Sequence, residues 1–370
     1  MSVLDGRTPQ CPIAPDDGSR FTIGSRATTN DPTPSTVPFS ESATETAIRC
    51  HEQSGTEPAM STFDHGEGQA GATWERLSSL ARRARRGLLA RLVPRAGPGM
   101  AVADAAWDTL VVLDSCRYDI FAAGNHLDGE LSKRRSRGST SSEFFRENFA
   151  GETYHDIVYV SANPWTADLP AGTFHDVIPV YDAWDEALQT VTPAVMNDAV
   201  RRAHDRYPNK RIVAHYMQPH YPFIGERGRE LDHRGYAPDG DYTTMDSYSI
   251  WAQLQFGIST HSRAAVIEAY RENLRVVLTA LESLLPEIDG KVVISADHGN
   301  MLGECLGPLP IPVYGHHDGL ATPELIEVPW LERPWDRRRE TVAEPPVERP
   351  ASIDDETVDD RMRALGWYPA

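Results

Sequence analysis

The chain has 370 residues, of which 54 are acidic and 36 basic, giving a formal net charge of −18. This length accommodates one large α/β domain, or one domain with extensions. Only three of the basic residues are lysines. An acidic, lysine-poor surface argues against general nucleic-acid binding and suits solubility in high salt, so a halophilic cytoplasm is the preferred interpretation.

Residues 1–72 are rich in Ser, Thr, Pro, Gly and acidic residues and show no apolar periodicity. Such a segment buries too little apolar surface to offset its ordering entropy, so a disordered extension is predicted. Met60 and Met100 leave a later translation start open. No apolar run approaches the roughly 18 residues that span a bilayer, and no signal peptide is evident, so a cytoplasmic location is expected.

Residues 73–93 predict a basic amphipathic helix that begins after Thr73 and ends before Pro94. Apolar residues recur at a spacing of three to four, and six arginines lie between them. One interpretation is reversible docking on an anionic membrane surface, which would make the protein membrane-peripheral. The preferred interpretation is packing on the acidic domain that follows, with residues 94–99 as a linker.

Residues 100–332 predict one large α/β domain. Strands are expected at 110–113, 156–162, 176–181, 211–217, 291–296 and 325–330, and helices at 117–127, 138–149, 193–207 and 264–285. Residues 225–260 are interpreted as an insertion that covers the site. The three prolines in 308–314 predict an irregular loop rather than a central strand. Residues 333–370 are expected to form a flexible tail with a short helix at 358–365.

Asp114 follows directly on the short apolar run Leu110–Leu113, which is typical of a strand buried on both faces of a parallel sheet. Ligands of open α/β sheets bind beyond the carboxyl ends of the strands, so Asp114 is a candidate ligand of a metal or substrate. The alternative is that Asp114 caps the next helix.

Asp297 and His298 repeat this arrangement at the end of a second apolar strand. The two side chains can turn toward one cation if the backbone turns sharply, which Gly299 permits. His316 and His317 follow in a glycine-flanked loop. One histidine alone would be interpreted as structural. Three groups of Asp and His residues, each at a strand end or in a loop, favour a functional site.

Two further segments carry polar side chains suited to a site. The hydroxyls of residues 139–142 precede a helix, where free amides and the helix dipole favour an oxyanion; the alternative is that they only cap the helix. His220 lies between Pro219 and Tyr221-Pro222. Prolines on both sides restrict the backbone, which suits an imidazole held at the edge of a site. A loop histidine without a special role is the alternative.

Four fragments, in this order, resemble the alkaline phosphatase and sulfatase superfamily. They are Leu-Asp-Ser-Cys-Arg-Tyr-Asp (113–119), Pro-His-Tyr-Pro (219–222), Ala-Asp-His-Gly-Asn-Met-Leu-Gly-Glu (296–304) and Tyr-Gly-His (314–316). The sulfatase-like proteins of salt-loving archaea are the most similar in character. The resemblance covers about residues 107–332 and a C-terminal fragment at 361–368. It implies an alkaline-phosphatase-like α/β fold, with a doubly wound, mostly parallel sheet and helices on both faces.

The resemblance also implies a reaction and a set of roles. Members of the superfamily carry out in-line displacement at phosphorus or sulfur, with a hydroxyl nucleophile beside a divalent metal and a covalent ester intermediate. By position, the nucleophile is Ser141 or Thr140, with Ser139 third, and the metal ligands are Asp114, Asp297 and His298. His220 and His316 would contact the transferring group or a second metal, Arg117 is a weaker substrate contact, and His317 could substitute for His316.

Two departures from the superfamily narrow the mechanism. Formylglycine-dependent sulfatases need a Cys or Ser in a C/S-x-P-x-R context, which neither Cys116 nor Ser139 has here. Members with two metals use an additional aspartate where this chain offers Gln218, so one metal is favoured over two. Hard oxygen ligands with histidine fit Mn²⁺, Mg²⁺, Ca²⁺ or Zn²⁺.

The expected function is therefore a metal-dependent hydrolase or transferase of phosphate, phosphodiester or sulfate esters, with an anionic ester as substrate. The alternative is a sulfatase-like pseudoenzyme that binds an anionic glycan or lipid head group without turnover.

Overall fold

A seven-stranded sheet forms the centre of the computed structural model, which describes residues 99–231, 249–306, 312–348, 358–359 and 361–362. Its strands are β1 (Thr109–Leu113), β2 (Glu130–Arg135), β3 (Tyr154–Ser161), β4 (Phe174–Pro179), β5 (Arg211–Tyr216), β6 (Val292–Ala296) and β9 (Glu327–Glu332). They lie in the order β2-β9-β6-β1-β5-β3-β4. Strand β9 runs antiparallel to both of its neighbours, whereas β1, β3, β4, β5 and β6 pair in parallel. The predicted mostly parallel sheet is confirmed.

Helices cover both faces of this sheet. They are α1 (Tyr118–Gly124), α2 (Ser141–Phe149), α3 (Pro193–Arg206), α4 (Glu226–Glu230), α5 (Ile250–Phe256), α6 (Arg263–Leu284) and α7 (Pro323–Ile326). Side chains of a strand alternate between its faces. Val111 and Leu113 accordingly pack with α1, α3 and α6, while Leu110 and Val112 pack with α2. The fold is therefore an α/β sheet with a core on each face, as predicted.

The strand register determines where polar side chains meet. Leu113, the last residue of β1, is aligned with Tyr216 of β5 and with Ala296 of β6. Asp114 and Asp297 therefore leave adjacent strands at the same level. From β1 the chain goes to the edge strand β2 and then to β3 on the other side of β1. Such a reversal of strand order opens the crevice in which ligands of open α/β sheets bind.

Strand β2 differs from the expectation, because no strand is predicted at 130–135. It lies at the edge of the sheet, and its residues are exposed or half-buried. Edge strands often carry charged side chains, which discourage pairing with other chains. Residues 130–135 therefore lack the apolar run by which a central strand is recognised in a sequence.

A second correction concerns the proline-rich segment at 308–314. Residues Pro312–Gly315 form strand β8, which pairs antiparallel with β7 (Met301–Cys305) in a separate two-stranded ribbon. Pro312 is the first residue of β8, where proline is tolerated because its missing N–H interrupts no ladder. The prediction of an irregular loop is therefore wrong for residues 312–314.

Residues 333–348 lie against the sheet domain, which differs from the predicted flexible tail. The Arg338 guanidinium donates to the fully buried Asp108 carboxylate, with 2.8 Å between Nε and Oδ1. The buried Lys210 ammonium donates to Val342 O at 2.7 Å and pairs with Glu344 at 2.8 Å. A charged, proline-containing composition is typical of a solvated tail. The tail is held in place because its charged residues pair with Asp108 and Lys210, which lie far away in the sequence.

The protonation of His204, at this contact, is expected to make stability depend on pH. Its ring nitrogens lie 3.2 Å from Thr109 Oγ1 and 2.7 Å from an Arg339 nitrogen. Burial and the Arg339 charge lower the pKa of His204 from 6.5 to about 4. As the pH falls, the unfolded chain binds this proton first, so stability contributed by His204 is present above about pH 6.5 and lost toward pH 4.

In His204→Gln this part of the pH dependence should be missing. The slope of the unfolding free energy against pH should be smaller than in wild type by up to about 1.4 kcal/mol per pH unit between these values. Urea unfolding at a series of pH values measures both slopes. Equal slopes in the two proteins would contradict the assignment.

Several predicted segments lie wholly or partly outside the described residues. The extension at 1–72 and the basic helix at 73–93 lie outside, and so do parts of the insertion at 225–260 and of the C-terminal helix. Residues 358–359 and 361–362 are helical, and Val358 and Met362 join the larger core. Among the described residues, no helix is long and apolar enough to cross a membrane.

Candidate active site and metal centre

Asp114, Asp297 and His298 form a buried cluster at the carboxyl ends of β1 and β6. One potential ligand atom from each residue lies within 4.8 Å of the others. All three side chains are fully buried. The structure thus brings together the three residues predicted as metal ligands, although Asp114 and Asp297 are 183 positions apart in the chain.

The Asp297 carboxylate is held by backbone amides on one oxygen and by a hydroxyl on the other. Oδ1 accepts from the backbone N–H of Ser115 at 2.9 Å and of His298 at 2.7 Å. Oδ2 accepts from the Ser141 hydroxyl at 2.7 Å. Burial alone would raise the pKa of Asp297, but the His298 and His215 imidazoles and the Ser115 amide lower this pKa below its usual value.

Ser115 directs its amide toward Asp297 by adopting an uncommon backbone conformation. Its φ of 60° lies in the left-handed region, which is unfavourable for a residue with a side chain. The Tyr270 hydroxyl donates to Ser115 O at 2.6 Å, and the Ser115 hydroxyl donates to Gly299 O at 3.2 Å. These bonds stabilise the turn after β1. The sequence contains no glycine here to signal it.

Asp114 has one oxygen that is satisfied and one that is not. Oδ2 accepts from the Asn163 side-chain amide at 2.8 Å, whereas the buried Oδ1 has no hydrogen-bond partner within the described part of the chain. Burial, and then the negative charge of Asp297, raise the pKa of Asp114. Asn163 is absent from the sequence prediction, although it follows the predicted strand 156–162 just as Asp114 follows its own strand.

In its neutral form, the His298 ring would present an unprotonated nitrogen to the cluster. Nδ1 lies 2.7 Å from Gly299 O. A carbonyl oxygen only accepts, so in the neutral ring Nδ1 carries the proton and Nε2 keeps its lone pair. Nε2 lies 3.8 Å from Asp114 Oδ1 and 3.5 Å from Asp297 Oδ2. This is the tautomer that a metal ligand requires.

Gly299 is needed for a close backbone approach rather than for the predicted sharp turn. Its φ is outside the left-handed region, in which other glycines of this chain lie. A Cβ at this position would come within 2.0 Å of Glu324 O. The Gly299 N–H donates to Leu325 O at 2.7 Å. Contact with α7 thus fixes the backbone directly after His298.

The three candidate nucleophiles have different partners. Ser141 Oγ lies 2.7 Å from Asp297 Oδ2 and 3.4 Å from both Asp114 Oδ2 and His298 Nε2. The Thr140 hydroxyl instead donates to Asp318 at 2.7 Å and caps α2 by accepting from Glu143 N. The Ser139 hydroxyl lies 2.6 Å from a Glu143 carboxylate oxygen. Of these three hydroxyls, only that of Ser141 contacts the acidic cluster.

His220 and His316 lie next to each other beside the cluster. Their Nε2 atoms are 3.2 Å apart, and the His316 ring centre is 4.7 Å from that of His298. Burial lowers the pKa of His220 to about 4 and also lowers the pKa of His316, so both rings are neutral at pH 7. His220 Nδ1 contacts Tyr221 O at 2.5 Å, which leaves Nε2 able to accept from His316.

The buried Asn273 of α6 holds the backbone around His220. Its side-chain amide contacts the carbonyl oxygens of Pro219, His220 and Pro222 at 3.1, 2.9 and 3.3 Å. Its Oδ1 accepts from Ile224 N at 3.0 Å. In the sequence, Asn273 stands out as a polar residue on an otherwise apolar helix face. Periodicity does not show which backbone groups its side chain contacts.

Arg117 and His317, the two predicted substrate contacts, make other interactions. The Arg117 guanidinium pairs with Asp119 at 2.7 Å and with Glu304 at 2.5 Å, so it connects α1 with β7. His317 Nε2 lies 3.1 Å from the carbonyl oxygen of Tyr314 in β8. These contacts favour structural roles, and the substrate-binding prediction gains no support for either residue.

The donor set around Asp114 Oδ1 fits a divalent cation. Two buried carboxylates without a compensating charge are unfavourable, and a cation between them would neutralise both. It would also provide the partner that Asp114 Oδ1 lacks. Asp114, Asp297 and His298 would hold the ion, with Ser141 Oγ adjacent. Two carboxylates, a hydroxyl and an imidazole suit Mn²⁺, Mg²⁺, Ca²⁺ and Zn²⁺ alike.

No family model and no curated protein matches the sequence. Similar solved structures include the soluble domain of lipooligosaccharide phosphoethanolamine transferase A from Neisseria meningitidis, at 11% identity and a TM-score of 0.37, covering 65% of this chain and 81% of that chain. The periplasmic domain of EptC from Escherichia coli, in complex with Zn, has 12% identity, a TM-score of 0.39 and coverages of 65% and 76%. The lipoteichoic acid synthase LtaP from Listeria monocytogenes has 12% identity, a TM-score of 0.37 and coverages of 69% and 73%. Likenesses this weak transfer no residue role, so function rests on the site itself.

Proposed function

We propose that this protein is a metal-dependent hydrolase or transferase of phosphate, phosphodiester or sulfate esters, of the alkaline phosphatase and sulfatase type. One observation carries the proposal. The Ser141 hydroxyl lies at the start of α2, 2.7 Å from Asp297, inside a cluster of two buried carboxylates and a histidine. A serine that merely caps a helix needs no such surroundings.

In the proposed reaction, Ser141 Oγ loses its proton to solvent and attacks phosphorus or sulfur, and the bond to the leaving group breaks, so that the leaving group takes up a proton and departs as the alcohol. Water or an acceptor alcohol then attacks the covalent ester, the bond from phosphorus or sulfur to Ser141 Oγ breaks, and Oγ regains a proton. A bound divalent ion would lower the pKa of the hydroxyl and neutralise charge on the transferring group. Asp297 Oδ2 orients Oγ through its hydrogen bond.

The neutral histidines would contact the oxygens of the transferring group. His316 lies between His298 and His220, with ring centres at 4.7 and 5.4 Å, and its N–H, which faces His220 Nε2 when no ester is bound, would donate instead to an oxygen of a bound ester beside Ser141. The amide-held loop around His220 keeps this pair in place. Donors prearranged in a buried site contribute more than they would in water.

The test is to remove metal from the purified protein and return Mn²⁺, Mg²⁺, Ca²⁺ or Zn²⁺ separately. We expect about one ion per chain and metal-dependent release of nitrophenol from p-nitrophenyl phosphate, bis(p-nitrophenyl) phosphate or p-nitrophenyl sulfate. Peptide mass spectrometry would detect the adduct on Ser141. Bound metal without turnover or adduct would favour the pseudoenzyme that binds an anionic head group. A protein that binds no ion would refute the proposal.

The location and membrane contacts of the protein stay predictions. Docking through residues 73–93 concerns a segment outside the described residues, and neither the cytoplasmic location nor the halophilic setting is tested by the structure. Within the insertion at 225–260, α5 lies beside strand β8, where Gln255 bonds to the backbone of Pro312 and Tyr314. There Trp251 of α5 lies against Gly315, one residue before His316.

A further inference from the structure

His215 and Tyr159 are two buried polar residues that neither the sequence motifs nor the proposed reaction uses. His215 lies on β5 and Tyr159 on β3, and both side chains are fully buried. The His215 ring packs among Phe144 and Phe145 of α2, with ring centres at 6.2 and 5.5 Å. An apolar side chain would suit this layer, because burying an imidazole among aromatic rings costs free energy unless its nitrogens have partners.

The two ring nitrogens of His215 face different partners. Nδ1 lies 2.9 Å from the Tyr159 hydroxyl. Nε2 lies 3.7 Å from Asp297 Oδ2 and has no hydrogen-bond partner in the described part of the chain. This separation exceeds a hydrogen bond, so Nε2 acts on the carboxylate electrostatically. Tyr159, His215, Asp297 and Ser141 thus form a continuous polar row through the apolar layer.

The tautomer of His215 decides the sign of this interaction. If the Tyr159 hydroxyl donates to Nδ1, the ring proton is on Nε2 and its positive end faces Asp297. In the other tautomer, a lone pair faces the carboxylate. A lone pair facing the carboxylate oxygen is repelled by it, whereas an N–H facing it is attracted, so the first arrangement is favoured.

We propose that Tyr159 and His215 are positioning residues for the metal centre. Tyr159 selects the Nε2–H tautomer of His215, and His215 stabilises the Asp297 carboxylate in the orientation that serves both the ion and Ser141. The role rests on the proposed function, since it assumes that Asp297 is a metal ligand. Residues behind metal ligands commonly set ligand orientation and metal affinity.

The variants Tyr159→Phe and His215→Phe test this role. Tyr159→Phe removes one oxygen and keeps the ring packing. Tyr154→Phe is the matched control, because Tyr154 lies in the same aromatic layer and its hydroxyl donates to the Asn148 carbonyl, away from the site. His215→Gln retains an N–H donor and serves if His215→Phe does not fold. Equal urea midpoints for Tyr159→Phe and Tyr154→Phe would show that packing is preserved.

Calorimetric titration of the metal-stripped proteins with Mn²⁺ or Zn²⁺ measures the effect. We expect His215→Phe to weaken binding by about 10- to 100-fold, the usual range for residues behind metal ligands. Tyr159→Phe should weaken it less, His215→Gln should restore part of it, and Tyr154→Phe should match wild type. Nitrogen NMR of the His215 ring should show Nε2–H in wild type and a mixed tautomer in Tyr159→Phe, which a packing defect would not produce.

The outcomes separate this proposal from the function on which it rests. If wild type binds metal and both Tyr159→Phe and His215→Phe bind it equally well, the positioning role is refuted and the proposed function stands. If wild type shows the Nδ1–H tautomer, the role of Tyr159 is refuted as well. If wild type binds no metal, the proposed function fails and the positioning role fails with it.

Discussion

Replacing Asp297 by asparagine is expected to abolish metal binding and to lower kcat/KM by about a thousandfold or more, since a catalytic ion contributes several kcal/mol. The hydrogen bonds at Asp297 dictate how the amide must lie. Oδ1 accepts from two backbone N–H groups, so the asparagine oxygen would occupy that position. Its NH₂ group would then face Ser141 Oγ and the ion, where a donor cannot serve as a ligand.

Thermal unfolding with and without metal gives a second measure of the same variant. The metal-free Asp297→Asn protein should be less stable than wild type, because the imidazoles and the Ser115 amide that lower the pKa of Asp297 stabilise its ionised form. An ion at a hundred times its Kd stabilises the folded state by about 2.7 kcal/mol, so the wild-type Tm should rise with metal. The Tm of Asp297→Asn should not.

Asp104→Asn is the matched control, since it makes the same change of charge at an exposed position. It should keep both turnover and the rise in Tm with metal. The assignment of Asp297 as a ligand would be untenable if Asp297→Asn retained either property. Metal content of the purified variants, measured by mass spectrometry, links the two results.

The strand ends were the part of the site that the sequence could predict. Apolar runs ending in Asp114 and in Asp297-His298 imply adjacent carboxyl ends once the sheet is parallel. The register that aligns Leu113 of β1 with Ala296 of β6 is set by how both faces of the sheet pack, and no sequence motif encodes it. Asn163 also follows a strand, and its amide donates to Asp114, so the same strand-end argument applies to amides as well as to carboxylates and imidazoles.

Residues whose partners lie far away in the chain could not be assigned from sequence. Arg117 resembles a free anion-binding cation until Glu304 of β7 is placed against it. The segment 333–348 resembles a solvated tail until the buried Asp108 is found to accept from Arg338. His215 resembles an ordinary strand residue. In each case the deciding contact joins elements that only the folded sheet brings together.

The nucleophile could not be chosen among three neighbouring hydroxyls from the sequence either. Residues Ser139, Thr140 and Ser141 all precede or begin α2, and a capping pattern cannot rank them. Their side-chain partners can. Thr140 and Ser139 contact Asp318 and Glu143, whereas Ser141 contacts Asp297. Ser141→Ala is accordingly expected to lower kcat by a factor on the order of 10⁴ or more.

Metal binding distinguishes the Ser141→Ala variant from Asp297→Asn. Ser141→Ala leaves both carboxylates and His298 in place, so the protein should still take up about one ion per chain while forming no covalent adduct. Thr140→Val is the comparison variant. It removes a helix cap worth about 1 kcal/mol and should lower the Tm, with kcat reduced far less than in Ser141→Ala.

The measurements are single-turnover kinetics and peptide mass spectrometry on the three proteins at equal metal loading. An adduct at residue 141 in wild type and in Thr140→Val, absent from Ser141→Ala, would establish the nucleophile. The reverse result, with turnover kept in Ser141→Ala and lost in Thr140→Val, would move the nucleophile to Thr140. That outcome would require the Thr140 hydroxyl to leave Asp318 and Glu143, because these hydrogen bonds direct it away from the acidic cluster.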